Sequence, residues 1–74
     1  MHSFSERLRT IRKAKKIKQS EMAALLSITT RNYQDYEYGK IDPPSSKLLK
    51  IAEYLDVSVD YLLGRTDNPN SHKL

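Results

Sequence analysis

The sequence predicts a compact all-α domain of five helices. Three observations carry this expectation. Apolar residues recur at helical spacing in five separate segments. No run alternates apolar and polar residues beside a turn pair, as a half-buried strand would require. Helix-starting and helix-stopping residues, Ser3, Thr29, Gly39, Ser58 and Gly64, stand at the segment edges. At 74 residues the chain holds one domain. A domain this small buries only about 60% of its unfolded surface, which favours short, locally packed units.

The first helix is expected over 4–15, with Phe4, Leu8, Ile11 and Arg12 on one stripe. Ser3 and Glu6 form a capping box at its start. Lys13, Lys15 and Lys16 crowd its end, where cations suit the helix dipole. The second helix, 19–26, is short and carries Met22, Ala23, Leu25 and Leu26, with Glu21 in its first turn. Ser27-Ile28-Thr29 links it to a third helix over 30–38, with Thr29 as N-cap and Gly39 as a left-handed stop. Pro43-Pro44 breaks the chain, and Ser45 is the expected cap of a fourth helix over 45–55. There Leu48, Ile51, Ala52 and Leu55 share a face. Asp56-Val57 is a turn, and Ser58 caps a last helix over 58–63 that Gly64 ends. The domain is expected to span 1–66, with 67–74 as a flexible C-terminal tail.

Composition excludes several classes of function. Lys and Arg number 13 against 9 Asp and Glu, for a net charge of +4. There are no cysteines, so disulfides, thiol catalysis and cysteine-ligated metal are out. His2 and His72 lie near opposite ends with no neighbouring ligand pattern, so no metal site and no histidine base are expected. No nucleophile–base pair or phosphate loop is in view, so neither enzyme activity nor a cofactor is expected. No apolar window approaches the roughly 18–20 residues of a membrane span. The first residues lack the apolar stretch of a secretory signal, so a cytoplasmic location is expected, with no membrane partner.

A short helix, a three-residue turn and a second short helix have the geometry of a helix-turn-helix. Ala23 is small enough to let the third helix cross the second closely, and Ile28 can plug the gap between them. Tyr33 is expected to face inward. Glu37 lies four residues later on the same face, which draws a carboxylate toward the core. Such a group needs a partner. Arg12, four after Leu8 on the inward stripe of the first helix, supplies one, so an Arg12–Glu37 ion pair at least half buried is expected. Thr30, Arg31, Gln34, Asp35 and Tyr38 then fall on the outward face. Arg can grip guanine O6 and N7, and Gln can match adenine N6 and N7. Asp35 can accept from cytosine N4 or hold Arg31 at i,i+4. An ordinary solvated helix face is the competing interpretation of these residues.

Three stretches, RLRTIRKAKKIKQSEMAALL, YEYGKIDPPSSKLLKIAEYLDV and SVDYLLGRTDNP, occur in this order and spacing. Arg7 to Arg65 resembles the helix-turn-helix domain of the Xre family, the Cro- and lambda-repressor-like regulators of phages and Gram-positive bacteria. The resemblance implies a lambda-repressor-like fold and a sequence-specific regulator of transcription, expected to be a repressor. Its partner would be double-stranded DNA, with the third helix in the major groove of a palindromic operator. It implies base-reading roles for Thr30, Arg31, Gln34 and Asp35, and agrees with the Arg12–Glu37 pair. It implies phosphate contacts at Gln19, near Tyr38, Gly39 and Lys40, and at Lys47. Lys18 joins this set on charge. It also implies a homodimer through the last helix, where Val59, Tyr61, Leu62 and Leu63 supply more apolar surface than one face needs.

The sequence departs from the family pattern at three points. Lys18 stands where Ser or Thr caps the second helix, Ser27 where the turn carries Gly, and Tyr33 where an aliphatic residue is usual. Tyr36 and Tyr38 are expected as further rings beside the DNA face. Residues 1–40 carry a net charge of +5 and residues 41–74 carry −1, so the helix-turn-helix half holds the net positive charge. Most of the basic residues on the first helix are expected to be solvated. A rival reading is a protein-interaction module on the same fold, such as an antitoxin or a partner that controls another regulator.

Overall fold

The computed structural model describes residues 3–70. Five helices follow in order: α1 (Phe4–Ala14), α2 (Gln19–Leu26), α3 (Thr30–Glu37), α4 (Ser45–Leu55) and α5 (Val59–Leu62). All regular elements among the described residues are helices, as the periodicity predicts. His2, His72 and residues 71–74 of the expected tail lie outside the described residues.

The starts follow the predicted caps with one exception. Ser3, Thr29 and Ser58 each accept a hydrogen bond from the backbone N–H three residues on, at Glu6, Asn32 and Tyr61. Ser45 is not the cap of α4. Pro44 takes that place at φ −63° and ψ 160°, and Ser45 is already helical. The proline ring fixes φ at a value suited to the junction, and the Pro44 carbonyl accepts from Leu48 N at 2.9 Å. Ser58 is the cap of α5 and not its first residue, so α5 begins at Val59.

The helix ends share one device. Each helix closes on a residue at positive φ between 57° and 79°: Ser27 and Asp56 are the C-caps of α2 and α4 themselves, and Lys16, Gly39 and Gly64 lie one beyond the C-caps of α1, α3 and α5. The next backbone N–H reaches back to the last turn: Ile17 to Arg12 O, Ile28 to Ala23 O, Lys40 to Asp35 O, Val57 to Ala52 O and Arg65 to Asp60 O. This is the Schellman closure, which satisfies carbonyls that a helix end leaves free. It stops α1 at Ala14 and α3 at Glu37, one residue short of the expected ends.

Leu8, Met22, Leu26, Tyr33, Ile51, Leu55 and Leu62 form the centre of the core. α3 packs on both α1 and α2, while α4 joins α2 to α5 and α5 returns to α1. Ala23 is buried where α2 meets α3, and Ile28 packs partly buried against the core. The helix-turn-helix is thus one wall of the core. Tyr36 is a correction: only 5% exposed, it is a core ring rather than part of an outer face. It stands edge-on to Tyr33 with ring centres 6.2 Å apart. Eight-residue α3 buries Tyr33 and Glu37 one turn apart, and Tyr36 lies next to both on the same side.

Residues beyond α5 also touch the body. Arg7 donates to the carbonyls of Tyr61 and Thr66 and to the Asp67 carboxylate, and its guanidinium lies 4.3 Å from the Tyr61 ring centre. Ser58 N donates to Pro69 O at 2.7 Å. The described part of the expected tail, 67–70, therefore begins against α1 and α5.

Candidate nucleic-acid interface

Glu37 is the centre of the site's internal support. It is 1% exposed. Its Oε2 accepts from Arg12 Nε at 2.5 Å and from the Tyr33 hydroxyl at 2.6 Å. Its Oε1 accepts from Arg12 Nη2 at 3.1 Å and from Gln19 Nε2 at 3.2 Å. Four donors fill the accepting capacity of the carboxylate. Arg12 is 8% exposed and gives its remaining Nη1 to the Ile17 carbonyl. The expected buried pair is present, and the forked geometry gives it two parallel bonds.

The electrostatics follow from this arrangement. Burial alone would push the Glu37 carboxyl up, but the bonds from Arg12, Tyr33 and Gln19 outweigh it and hold it below its usual value. Arg12 is raised chiefly by the bond to Glu37. Burial and the acceptor carboxylate push the Tyr33 hydroxyl well above its ordinary range. The departure from an aliphatic residue thus has a partner for its hydroxyl: the core carboxylate.

The network reaches the outer face through Gln19. Gln34 Nε2 donates to Gln19 Oε1 at 3.0 Å, and Gln19 in turn donates to Glu37. Thr30 and Arg31 are exposed, while Gln34 and Asp35 are half-buried. Tyr38 is 61% exposed and Lys40 Nζ sits 6.0 Å from its ring centre. Lys18 is exposed and Lys47 half-buried. Lys18 precedes α2 without a side-chain cap bond, which leaves the first N–H groups of α2 available to an anion. No ion pair joins Arg31 to Asp35 among the described residues; the ion pairs there are Arg7–Asp67, Arg12–Glu37 and Arg65–Asp60.

Several basic residues of α1 hold the fold together. Arg7 and Arg12 are buried, and Arg9 donates to the Glu37 backbone carbonyl at 3.2 Å. Sequence reasoning missed the role of Arg7, because its partners lie 54 to 60 residues away and two of them are backbone carbonyls. It also missed the Gln34–Gln19 bond, for which no periodic signal exists. At the other end, Leu62 is 0% exposed and belongs to the core, so it is unavailable to a partner chain. Leu63 is 47% exposed, while Val59 and Tyr61 are half-buried. Tyr54 is 42% exposed and donates its hydroxyl to Glu21. Among the described residues no group of three or more His, Cys, Asp or Glu could hold a metal, and no helix is long and apolar enough to cross a membrane.

The helix-turn-helix family profile matches residues 8–62. YobD, a helix-turn-helix-type transcriptional regulator of Bacillus subtilis, is 42% identical over 67 residues, covering 90% of this chain and 60% of that protein. RstR, the transcriptional repressor of the cryptic phage CTXphi in Vibrio cholerae, is 38% identical over 71 residues, covering 96% and 63%. The chain thus spans roughly 60% of the length of these curated relatives. The P22 c2 repressor, solved in complex with a synthetic operator, superposes with a TM-score of 0.79 at 28% identity, covering 85% of this chain and 96% of that one. The profile match over most of the described residues and the repressor-like architecture agree, and the chain belongs to the helix-turn-helix family of the Xre, or Cro and lambda-repressor, type.

Proposed function

We propose that this protein is a sequence-specific, double-stranded DNA-binding regulator of transcription, acting as a repressor in the cytoplasm. α3 enters the major groove, with Thr30, Arg31, Gln34 and Asp35 facing base edges. Lys18, Gln19, Tyr38, Lys40 and Lys47 meet phosphates on either side. The observation that carries this reading is the build of α3. Its inner face is fixed by a saturated buried carboxylate, and its outer face offers Thr30 and Arg31 to solvent. Rigid support behind an exposed polar face is what base readout needs. The net charge of +5 on residues 1–40 supports it, as does the likeness to a repressor solved with an operator.

Two copies related by a two-fold axis read an inverted repeat, with half-site centres about one helical turn apart. Leu63, with Val59 and Tyr61 beside it, is the apolar surface proposed for that contact. The test is selection of bound duplexes from a random pool, with sedimentation of the free protein alongside. An enriched inverted repeat supports the reading. Weak, steeply salt-dependent binding without an enriched sequence would contradict it, and a stable complex with a protein partner would then favour the interaction-module alternative.

A further inference from the structure

α5 is a single turn of four residues, too short to hold its own shape in water. Its place comes from what grips it. Leu62 anchors it in the core. One anchor leaves rotation about that point open, and two hydrogen bonds close it. At the front, Ser58 N donates to Pro69 O at 2.7 Å. At the back, Arg7 Nη1 donates to Tyr61 O at 3.1 Å. The same Nη1 donates to Thr66 O at 2.8 Å, and Nη2 meets Asp67 Oδ1 at 2.5 Å. The guanidinium also lies against the Tyr61 ring, 4.3 Å from its centre. Arg7 is 6% exposed, so these contacts are made largely out of water, where charge-assisted bonds are strongest. One buried side chain on α1 thus grips both α5 and the segment after it.

Arg7 shares α1 with the residues that hold α3. Arg12 grips the Glu37 carboxylate, and Arg9 donates to the Glu37 backbone carbonyl. α1 packs on both α3 and α5. It is therefore the rod between the proposed reading helix and Leu63, Val59 and Tyr61, the surface proposed to join two copies. We infer that Arg7 is a specificity-determining positioning residue, which fixes α5 against α1 and so sets the half-site spacing that the dimer accepts. This rests on the proposed two-fold reading of an inverted repeat. The leverage is geometric. Two copies of α3 enter successive major grooves only if their separation matches about one helical turn, roughly 34–36 Å. One base pair more or less moves a half-site by about 3.4 Å and turns it by about 35°. A dimer whose α5 surfaces are held rigidly rejects that change. A dimer whose α5 swings about Leu62 follows it. Arg7 lies on α1 and not on α3, so it acts on spacing and not on base preference within a half-site.

The experiment takes the half-site that the wild-type chain enriches from random duplexes. It builds a pool of inverted repeats of that half-site, with spacers of every length across one helical turn and with the half-site bases partly randomised. The wild-type chain, Arg7→Met and Arg7→Lys then select from this pool in parallel. Arg7→Met keeps an apolar stem and removes every bond of the clamp. Arg7→Lys keeps the cation but loses the fork, and carries the test if Arg7→Met does not fold. Melting by circular dichroism shows which variants fold. The wild-type chain is expected to favour one spacing over its neighbours. In the variants that ratio is expected to fall about tenfold, the size of one hydrogen bond to a charged group, while base preferences within the half-site are kept. A spacing preference unchanged in a folded variant would overturn the inference. Base preferences lost together with the spacing would overturn it as well, because Arg7 would then be supporting the whole fold. A wild-type chain that enriches no inverted repeat from random duplexes would instead remove the two-fold reading on which the inference rests.

Discussion

At the scale of single residues, Glu37 organises the interior. Its four donors make the pair with Arg12 a unit whose halves depend on each other. Arg12→Met leaves a buried carboxylate without its cation and is expected to cost about 3–5 kcal/mol in urea unfolding. Adding Glu37→Gln to Arg12→Met is expected to recover much of that loss, because no unpaired charge remains. Tyr33→Phe removes one bond to a charged acceptor and is expected to cost about 1.5–3 kcal/mol. The pH dependence has a definite sign. Glu37 is held below its unfolded value of about 4.3, so its ionised form stabilises fully above that pH. The contribution falls away as pH drops from there through the lower folded value. Melting temperature should therefore fall from about pH 5 downward, more steeply in wild type than in the double variant. The pair was legible in the sequence, since helical phase alone brings Leu8 to Arg12 and Tyr33 to Glu37. The Tyr33 hydroxyl was legible only as a need for a partner. Arg7 was not legible at all, because backbone carbonyls carry no residue-specific signal.

At the scale of elements, the helix ends explain why such short helices hold their length. All five stop at a left-handed residue followed by a backbone N–H that reaches back to the last turn. Two of those residues are Gly39 and Gly64, and the next residues are Lys40 and Arg65. The other three are Lys16, Ser27 and Asp56, and there the next residues are Ile17, Ile28 and Val57. Each of these apolar residues packs against or within the core. Where glycine does not ease the left-handed turn, the burial of a β-branched residue holds it in place. A left-handed non-glycine residue costs about 1–2 kcal/mol. Ser27→Gly relieves that cost but frees the unfolded chain, so a net gain of about 0.5–1 kcal/mol is expected in thermal or urea unfolding. Ile28→Ala should destabilise the same turn. The exposed Ser27 was recognised in the sequence because glycine is usual there. Lys16 was not, because a run of lysines reads equally well as the last turn of a helix. Ser45 misled for a related reason: serine is a strong cap, but Pro44 already had the extended geometry the junction needs.

At the scale of the whole molecule, the five-helix order and the core were legible because hydrophobic periodicity is strong over α1 and α4 and the caps are local. What the sequence left open was how distant segments join. The contact of residues 66–69 with Arg7 and Ser58 depends on the closed fold, and so does the distinction between Leu62 in the core and Leu63 outside it. Leu63→Glu is expected to abolish any dimer seen by sedimentation at tens of micromolar without lowering the melting temperature of the monomer, since Leu63 is half in water already. Leu62→Ala, by contrast, is expected to cost about 2–5 kcal/mol through a core cavity.

The central claim is that the outer face of α3 reads bases while the residues beside it hold phosphates. Its most direct test is a side-by-side selection of duplexes by the wild-type chain, Arg31→Ala and Lys40→Ala. Arg31→Ala is expected to lose preference at one base of each half-site, with a cost of about 1–3 kcal/mol on the wild-type site. Lys40→Ala is expected to weaken all sequences by a similar factor and to flatten the salt dependence by about one phosphate contact. Sequence preferences left intact by Arg31→Ala would contradict the assignment of α3 as the reading helix.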